Sequence, residues 1–276
     1  MIARSQAIAA LAGEEFDVVV VGGGITGAGV ALDAATRGYS VALLEKADYA
    51  SGTSSRSSKL VHGGLRYLQN FDLGLVREAL LERQLLVRLA PHLVRPLPLV
   101  VPAFEGARPD RLVGVGLNLY DVMAVDRLRG RRRETEDWSP DRHRVISGEE
   151  VVELLPALAP REPTSGYLFY DCQTDDARLV LTVLGEAERF GAVCANRLEV
   201  LELLAQDGRA VGVRARDAES GEAIEVRGAN IVNATGVWAD RLRPEELHDE
   251  AEVPRIRPSR GTHITLSSEH IPMKGT

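Results

Sequence analysis

The sequence has few cysteines and no excess of positive charge. Its 276 residues include 2 cysteines, and neither Cys172 nor Cys194 has another cysteine or a histidine at the spacing of a zinc site. The formal net charge is -7, so the chain lacks the positive field that holds a polyanion. We therefore expect no disulfide framework, no metal site and no nucleic-acid partner, and a reducing compartment fits.

Long hydrophobic runs are also missing. No run of about 18 consecutive apolar residues occurs, so no membrane-spanning helix is predicted. The N-terminal segment carries a single basic residue and ends on Glu14 and Glu15, which does not fit a secretory signal. With 45% hydrophobic and 26% charged residues, the composition is that of a soluble globular protein. The expected location is the cytoplasm, and peripheral contact with the inner face of the cytoplasmic membrane stays open.

A strand, a glycine-rich turn and a helix follow the N-terminal segment. The valine-rich run Phe16–Val21 predicts a buried parallel strand, and Ile25–Arg37 predicts the helix after it. A second apolar run, Val41–Leu44, ends at Glu45 and completes a βαβ unit. This order of elements is typical of a fold that binds a dinucleotide.

The turn between the first strand and the helix carries the pattern G-x-G-x-x-G at Gly22, Gly24 and Gly27. Glycine at these positions permits a tight turn and lets a pyrophosphate approach the N-terminus of the helix. Glu45 can accept hydrogen bonds from ribose hydroxyls, which argues against a 2′-phosphate. The pattern alone does not distinguish FAD from NAD, because both contain adenosine diphosphate.

The rest of the chain is predicted to form further helices and strands. The predicted helices are Leu73–Leu89, Leu112–Leu128 and Arg178–Phe190. The predicted strands are Leu97–Phe104, Arg197–Ala205, Ala210–Asp217, Glu222–Arg227, Ala229–Val232 and Thr262–Leu266. Helical periodicity puts Arg83 on the polar side of its helix, and Trp238 is predicted to pack. A meander that leads into a buried strand is typical of a βαβ fold extended to hold a flavin.

One segment is rich in small polar residues and glycine: Thr53–Leu68, TSSRSSKLVHGGLRYL. Here the sequence resembles the flavin-linked, quinone-reducing glycerol-3-phosphate dehydrogenases and the related oxidases. The resemblance continues through Asp175–Leu179 (DDARL), Asn233–Trp238 (NATGVW) and Gly261–Ile264 (GTHI), in the family's order. Family members are longer than this chain, so we expect it to be the N-terminal half of such an enzyme.

The resemblance implies a two-domain flavoprotein of the α/β class. Its FAD-binding core is Rossmann-like (ββα/βαβ) with an antiparallel meander, as in glutathione reductase and D-amino-acid oxidase, and part of an α+β substrate domain accompanies it. The FAD-binding domain is expected at 15–94 and 166–254. The substrate domain is expected at 95–165, with a second, truncated segment starting at 255–276.

The resemblance also implies site residues. Arg66 and Tyr67 are expected to face the substrate, because a guanidinium suits a phosphate ester. His62 is either the base for the hydroxyl proton or a flavin contact, and His263 is a second candidate base. The predicted FAD-binding residues are Gly22, Gly24, Ile25, Thr26, Gly27, Glu45, Thr53, Ser54, Ser57, Ser58, Lys59, Leu60, His62, Gly64, Ala234, Thr235 and Gly236.

The reaction implied is oxidation of sn-glycerol 3-phosphate to dihydroxyacetone phosphate, with hydride transfer to FAD and electrons passed to a quinone. Three alternatives stay open: an oxidase that uses O2, a flavoprotein that oxidises an amine or amino acid, and an FAD-binding fragment without activity. Asp175 and Asp176 are expected to cap a helix. The arginine run at 127–133 is either a solvated face or a contact with anionic lipid.

Overall fold

The computed structural model of the chain describes residues 3–64, 72–104, 114–119, 142–242, 256–267, 269 and 271. The chain divides into two compact units. The first unit comprises Met1–Ser57 and Asp175–Gly261, and the second comprises Ser58–Thr174 and Thr262–Thr276. Within the described ranges, no helix is both long enough and apolar enough to span a lipid bilayer.

Helices and strands alternate along the described chain. The helices are α1 (Arg4–Gly13), α2 (Ile25–Thr36), α3 (Leu73–Leu89), α4 (Gly148–Leu154) and α5 (Asp176–Arg189), and residues 114–119 are also helical. The strands are β1 (Glu15–Val21), β2 (Val41–Leu44), β3 (Leu60–Val61), β4 (Val94–Ala103), β5 (Arg144–Ser147), β6 (Ser165–Thr174), β7 (Val193–Ala195), β8 (Leu198–Gln206), β9 (Arg209–Asp217) and β10 (Ala223–Asn233). Short 3-10 turns lie at Thr53–Ser55, Pro156–Arg161 and Gly236–Leu242.

The first unit is built on a six-stranded sheet of order β7-β2-β1-β10-β9-β8. β7, β2, β1 and β10 run parallel to one another, whereas β9 and β8 continue the sheet beyond β10 as an antiparallel meander. Val20 packs with α2 and α5 in one apolar cluster, while Val19 and Val21 pack with α1 and the meander in another. Both faces of β1 are therefore covered, which explains its continuous valine run.

Strand β10 corrects a prediction. The sequence pattern suggests two strands, Glu222–Arg227 and Ala229–Val232, but the structure has a single strand across both. Its first half pairs antiparallel with β9 and its second half parallel with β1. Gly228 lies where the two halves meet. A Cβ at this position would lie 2.6 Å from Val19 Cγ2, so a larger residue would collide with β1. The glycine accommodates the neighbouring strand rather than breaking the chain.

The second unit contains a four-stranded antiparallel sheet in which β6 pairs with β3, β4 and β5. The predicted strand Leu97–Phe104 starts earlier in the structure, at Val94. Prolines lie within β4 and do not interrupt it. Among the described residues β4 pairs only with β6, and an edge strand tolerates proline. Residues 262–267 have no regular secondary structure, so the predicted strand Thr262–Leu266 is wrong. Most of the predicted helix Leu112–Leu128 lies outside the described residues.

The compact units do not follow the predicted domain boundaries. They divide the chain at Ser57 and Asp175, whereas the sequence suggests divisions at residues 94 and 165. The physical reason is that β3, β4 and β6 belong to one sheet. Which segments serve the cofactor and which serve a substrate stays a prediction.

Candidate functional site

A cavity of about 560 Å³ lies within the first unit, at the carboxyl ends of β1 and β2. Its walls come from the turn between β1 and α2, the end of β2, the segment 51–54, the start of β8 and the segment after β10. This volume falls in the range of small-molecule and cofactor sites. The carboxyl edge of parallel strands is where α/β sheets bind their ligands.

The turn between β1 and α2 requires its glycines for steric reasons. Gly22 has φ +115°, and a Cβ there would lie 2.5 Å from the Ala234 carbonyl oxygen. A Cβ on Gly27 would lie 1.9 Å from the Gly22 carbonyl oxygen. Gly23 is equally constrained, because its Cβ would lie 2.8 Å from Glu45 Cβ. The turn therefore leaves no room even for a methyl group at any of the three positions.

The N-terminus of α2 forms part of the cavity wall, through Gly24, Ile25 and Thr26. Gly24 precedes the helix and has no side chain to cap it, and the first turn contains no acidic residue. The Ile25 amide donates to Ser54 Oγ at 2.9 Å. The first amides of a helix have no intrahelical acceptor, and the helix dipole places positive charge there. This arrangement suits an anionic ligand such as a pyrophosphate.

Glu45 ties the glycine turn to the end of β2. Its Oε2 accepts from the Gly23 amide at 2.7 Å, and its Oε1 accepts from the Ala47 amide at 2.9 Å. Each carboxylate oxygen can accept a further hydrogen bond, so the half-buried side chain can still bind a ribose hydroxyl from the cavity. That second role stays a prediction.

The serine-rich segment divides between the two units. Thr53 and Ser54 line the cavity, whereas the hydroxyl of Ser57 donates to Asp176 at 2.8 Å. Asp175 caps α5 by accepting from the Arg178 amide, as predicted, but Asp176 is buried and receives Ser57 instead. Ser58, Lys59, Leu60, His62 and Gly64 belong to the second unit.

The cavity collects most of the predicted cofactor residues of the first unit. Those that line it are Gly22, Gly24, Ile25, Thr26, Glu45, Thr53, Ser54, Ala234, Thr235 and Gly236. Gly27 lies behind the turn, against Gly22 and Val20. Arg66 and Tyr67 lie outside the described residues. The functional roles of all these residues stay predictions.

Sequence reasoning missed Lys46, Arg241 and the start of β8, which also line the cavity. Trp238 lines it as well, with Lys46 Nζ 4.6 Å from the centroid of its ring. The position of Lys46 directly after Glu45 was a signal that could have identified it. The contribution of β8 could not be read from sequence, because it depends on the pairing of distant strands.

A buried ion pair organises the second unit. Arg83 is 1% exposed and Asp171 is 4% exposed, and the Arg83 guanidinium donates both to Asp171 and to the Tyr170 carbonyl. The prediction that Arg83 lies on a solvent-facing side is therefore wrong, because its charge has a buried carboxylate to pair with. Asp171 also accepts from the Gly63 amide at 3.4 Å, which ties the turn after β3 to β6.

His62, in that same turn, is exposed. Its Nδ1 accepts a hydrogen bond from the Gly64 amide at 2.9 Å. A neutral imidazole that accepts at Nδ1 carries its proton on Nε2. In this arrangement His62 presents an N–H donor to its surroundings.

Burial disfavours the thiolate form of both cysteines. Both are buried and free, and burial raises the pKa of Cys172 to about 11 and that of Cys194 to about 12. Among the described residues, no group of three or more His, Cys, Asp or Glu side chains could hold a metal ion.

The parallel core, the glycine turn and the cavity at its edge define a dinucleotide-binding protein. Residues 17–275 match the family described as FAD dependent oxidoreductase (DAO), and the chain belongs to this family. FAD is accordingly its cofactor. The residues present fit the adenosine diphosphate part of FAD, because the turn leaves room at its glycines and α2 directs its N-terminus at the cavity.

Several known proteins are similar to this chain. It is 45% identical over 259 residues to the glycerol-3-phosphate dehydrogenase of Mycobacterium leprae, covering 94% of this chain and 42% of that protein. It is 36% identical over 274 residues to the alpha-glycerophosphate oxidase of Lactococcus lactis, covering 98% of this chain and 43% of that protein. The chain thus spans less than half the length of these relatives.

A solved structure is also similar. The glycerol-3-phosphate dehydrogenase from Bacillus halodurans, solved in complex with FAD, superposes with a TM-score of 0.63 at 30% identity. The match covers 86% of this chain and 38% of that one. It confirms the predicted fold class, an α/β FAD-binding fold with a mixed sheet.

Proposed function

We propose that this chain is part of an enzyme that oxidises sn-glycerol 3-phosphate to dihydroxyacetone phosphate. The observation that carries the proposal is the 45% identity, over 94% of the chain, to a relative named glycerol-3-phosphate dehydrogenase. Because the chain spans only 42% of that relative, the activity is proposed for the whole enzyme. When bound, FAD supplies the two-electron acceptor for the alcohol.

The first unit would hold the cofactor. The N-terminus of α2 would bind the pyrophosphate through its backbone amides, and Glu45 would bind the ribose. Support comes from the position of Gly22, Gly24 and Glu45 in the cavity wall. Because Glu45 already fixes the Gly23 amide, the turn is ordered by the protein's own contacts and needs little rearrangement on binding.

Arg66 and Tyr67 would bind the substrate. A guanidinium offers a fixed fork of donors for a phosphate ester, and this is the reason for giving Arg66 the phosphate. For His62, the hydrogen bond from the Gly64 amide to Nδ1 favours a donor role over that of the proton-accepting base. The Nε2–H would then orient an oxygen of substrate or cofactor.

A quinone is the proposed electron acceptor, and O2 is the second candidate. The higher identity to a relative named as a dehydrogenase, 45% against 36% for one named as an oxidase, supports this order. Hydrogen peroxide formed in step with substrate oxidation would favour the oxidase. Reduction of a soluble quinone without peroxide is the expected result.

The substrate is tested by anaerobic reduction of the FAD-loaded enzyme. The reduction is monitored as bleaching of the visible flavin band. Glycerol 3-phosphate should bleach the flavin, whereas glycerol and glycine should not. Arg66→Ala should weaken the response, and Arg37→Ala serves as the matched control because Arg37 is exposed and pairs with Asp33 on its own helix turn. Bleaching by glycine but not by glycerol 3-phosphate would show instead that the enzyme is a flavoprotein that oxidises an amino acid.

A further inference from the structure

Lys46 and Trp238 meet at one side of the cavity. Lys46 lies two residues after the end of β2, and Trp238 lies in the 3-10 turn after β10. The Lys46 ammonium lies 4.6 Å from the centroid of the indole, within the range of a cation–π interaction. Both residues line the cavity, and we refer to the pair as the Lys46–Trp238 clasp.

The indole also packs against the serine-rich segment. A Cβ on Gly52 would lie 3.1 Å from Trp238 Cζ3 and 3.5 Å from Cη2. The backbone at Gly52 therefore passes close to the edge of the ring, and a side chain there would displace one or the other. Trp238 thus contacts Lys46 and the segment 51–54 at the same time.

The segment 51–54 is in turn attached to the glycine turn. Immediately before the segment, the Ala50 amide donates to the Gly23 carbonyl at 2.9 Å. At its end, Ser54 Oγ accepts from the Ile25 amide at 2.9 Å. Movement of this segment would alter the donors at the N-terminus of α2, where the cavity receives its anionic ligand.

We propose that the Lys46–Trp238 clasp is a positioning device that holds the segment 51–54 against the N-terminus of α2 and thereby slows the release of FAD. Lys46 fixes the ring, the ring fixes Gly52, and the segment then presents Ser54 to Ile25. The proposal depends on FAD as the cofactor and is independent of the substrate. Failure of glycerol 3-phosphate oxidation therefore leaves it intact.

The test is a double-mutant cycle on the rate of FAD release from the loaded chain, measured by the recovery of free-flavin fluorescence. Lys46→Met should accelerate release roughly 2- to 5-fold, the value of one partly exposed cation–π contact. In the Trp238→Leu background the same substitution should have no effect. An equal effect in both backgrounds would mean that Lys46 acts on the cofactor by its charge alone, and would overturn the clasp.

A second pair of variants tests the contact at Gly52. Gly52→Ala should accelerate release because its methyl group pushes on the indole, and in the Trp238→Leu background, where the ring is absent, the same substitution should add little. An equal acceleration by Gly52→Ala in the parent and in the Trp238→Leu background would contradict the proposal.

Two controls separate positioning from general stability. Arg37→Met removes an exposed cation from the same unit and should leave FAD release unchanged. Lys46→Met should also leave the melting temperature of the FAD-free chain nearly unchanged, since the lysine is exposed. If faster release is matched by a large fall in that melting temperature, the clasp is only structural and the proposal fails.

Discussion

Substituting Gly27 by alanine is expected to damage both the fold and the cofactor site. A Cβ on Gly27 would lie 1.9 Å from the Gly22 carbonyl oxygen and 3.1 Å from its carbonyl carbon. The residue lies in the first turn of α2, where alanine adopts the same backbone conformation without strain. The expected effect is therefore entirely steric.

The magnitude follows from how little the surroundings can move. Relief of the contact requires α2 and the glycine turn to separate by about 1 Å, and such overpacking costs about 1–3 kcal/mol. The turn is held on its other side by the Gly22 amide, which donates to the Leu44 carbonyl at 2.8 Å. Displacing the start of α2 also moves its amides, so we expect FAD affinity to fall by at least about 10-fold.

Gly29 provides the matched control, since it lies two residues further along the same helix. Nothing lies within 4 Å of a Cβ at Gly29, so Gly29→Ala should stabilise the chain by about 0.5–1 kcal/mol through its higher helix propensity. Urea unfolding and FAD titration of both variants make the comparison. Relative to the parent chain, the free energy of unfolding should fall in Gly27→Ala and rise in Gly29→Ala. Parent-like FAD affinity in Gly27→Ala would refute the steric argument.

Three further predictions concern charge and reactivity. Arg4 holds the pKa of the buried Asp217 carboxyl at about 2, below its usual 3.8, so the ion pair stabilises at neutral pH and is lost as pH falls through that interval. Asp217→Asn should therefore cost about 1–2 kcal/mol in urea unfolding at pH 7, with the difference shrinking toward pH 2. Arg83→Met should cost about 3–5 kcal/mol because it removes the cation beside a buried carboxylate, and adding Asp171→Leu should restore part of that loss. A thiol reagent should label Cys194 only after denaturation, since burial raises its pKa to about 12, and rapid labelling of the native chain would contradict this.

Elements with strong local signals could be predicted from the sequence. Strand β2 and helix α3 have the bounds that the pattern predicts, Val41–Leu44 and Leu73–Leu89. Helix α3 begins at a side-chain cap, where Asp72 accepts from the Leu75 amide, and it ends just before Pro91. Such signals act over a few residues, so the sequence displays them directly.

Features that depend on distant partners could not be predicted. The continuity of β10 depends on pairing with both β1 and β9, which no local pattern encodes. The burial of Arg83 depends on Asp171, far along the chain, while helical periodicity alone places an arginine in solvent. In both cases a tertiary contact determines what the local sequence leaves open.

The candidate site shows the same division. The motif identifies Gly22 and Gly27 correctly as positions where a side chain would collide with backbone. Gly24 is different, because the nearest atom to its Cβ would be Ser54 Oγ at 3.1 Å. Within the described structure, this glycine makes room for the serine-rich segment as well as for a ligand. The motif alone could not have revealed that second requirement, since Ser54 lies 30 residues away.

The way the glycine turn is held limits how it can bind an anion. The Gly22 amide donates to the Leu44 carbonyl, and the Gly23 amide donates to Glu45. Both donors are therefore engaged by the protein itself, and the anion must use amides further along, at the start of α2. One of these, the Ile25 amide, is engaged by Ser54. The segment that carries Ser54 thus contacts the same helix N-terminus that would bind the anion. Its attachment through Gly52 and Trp238 should therefore influence how long FAD stays bound.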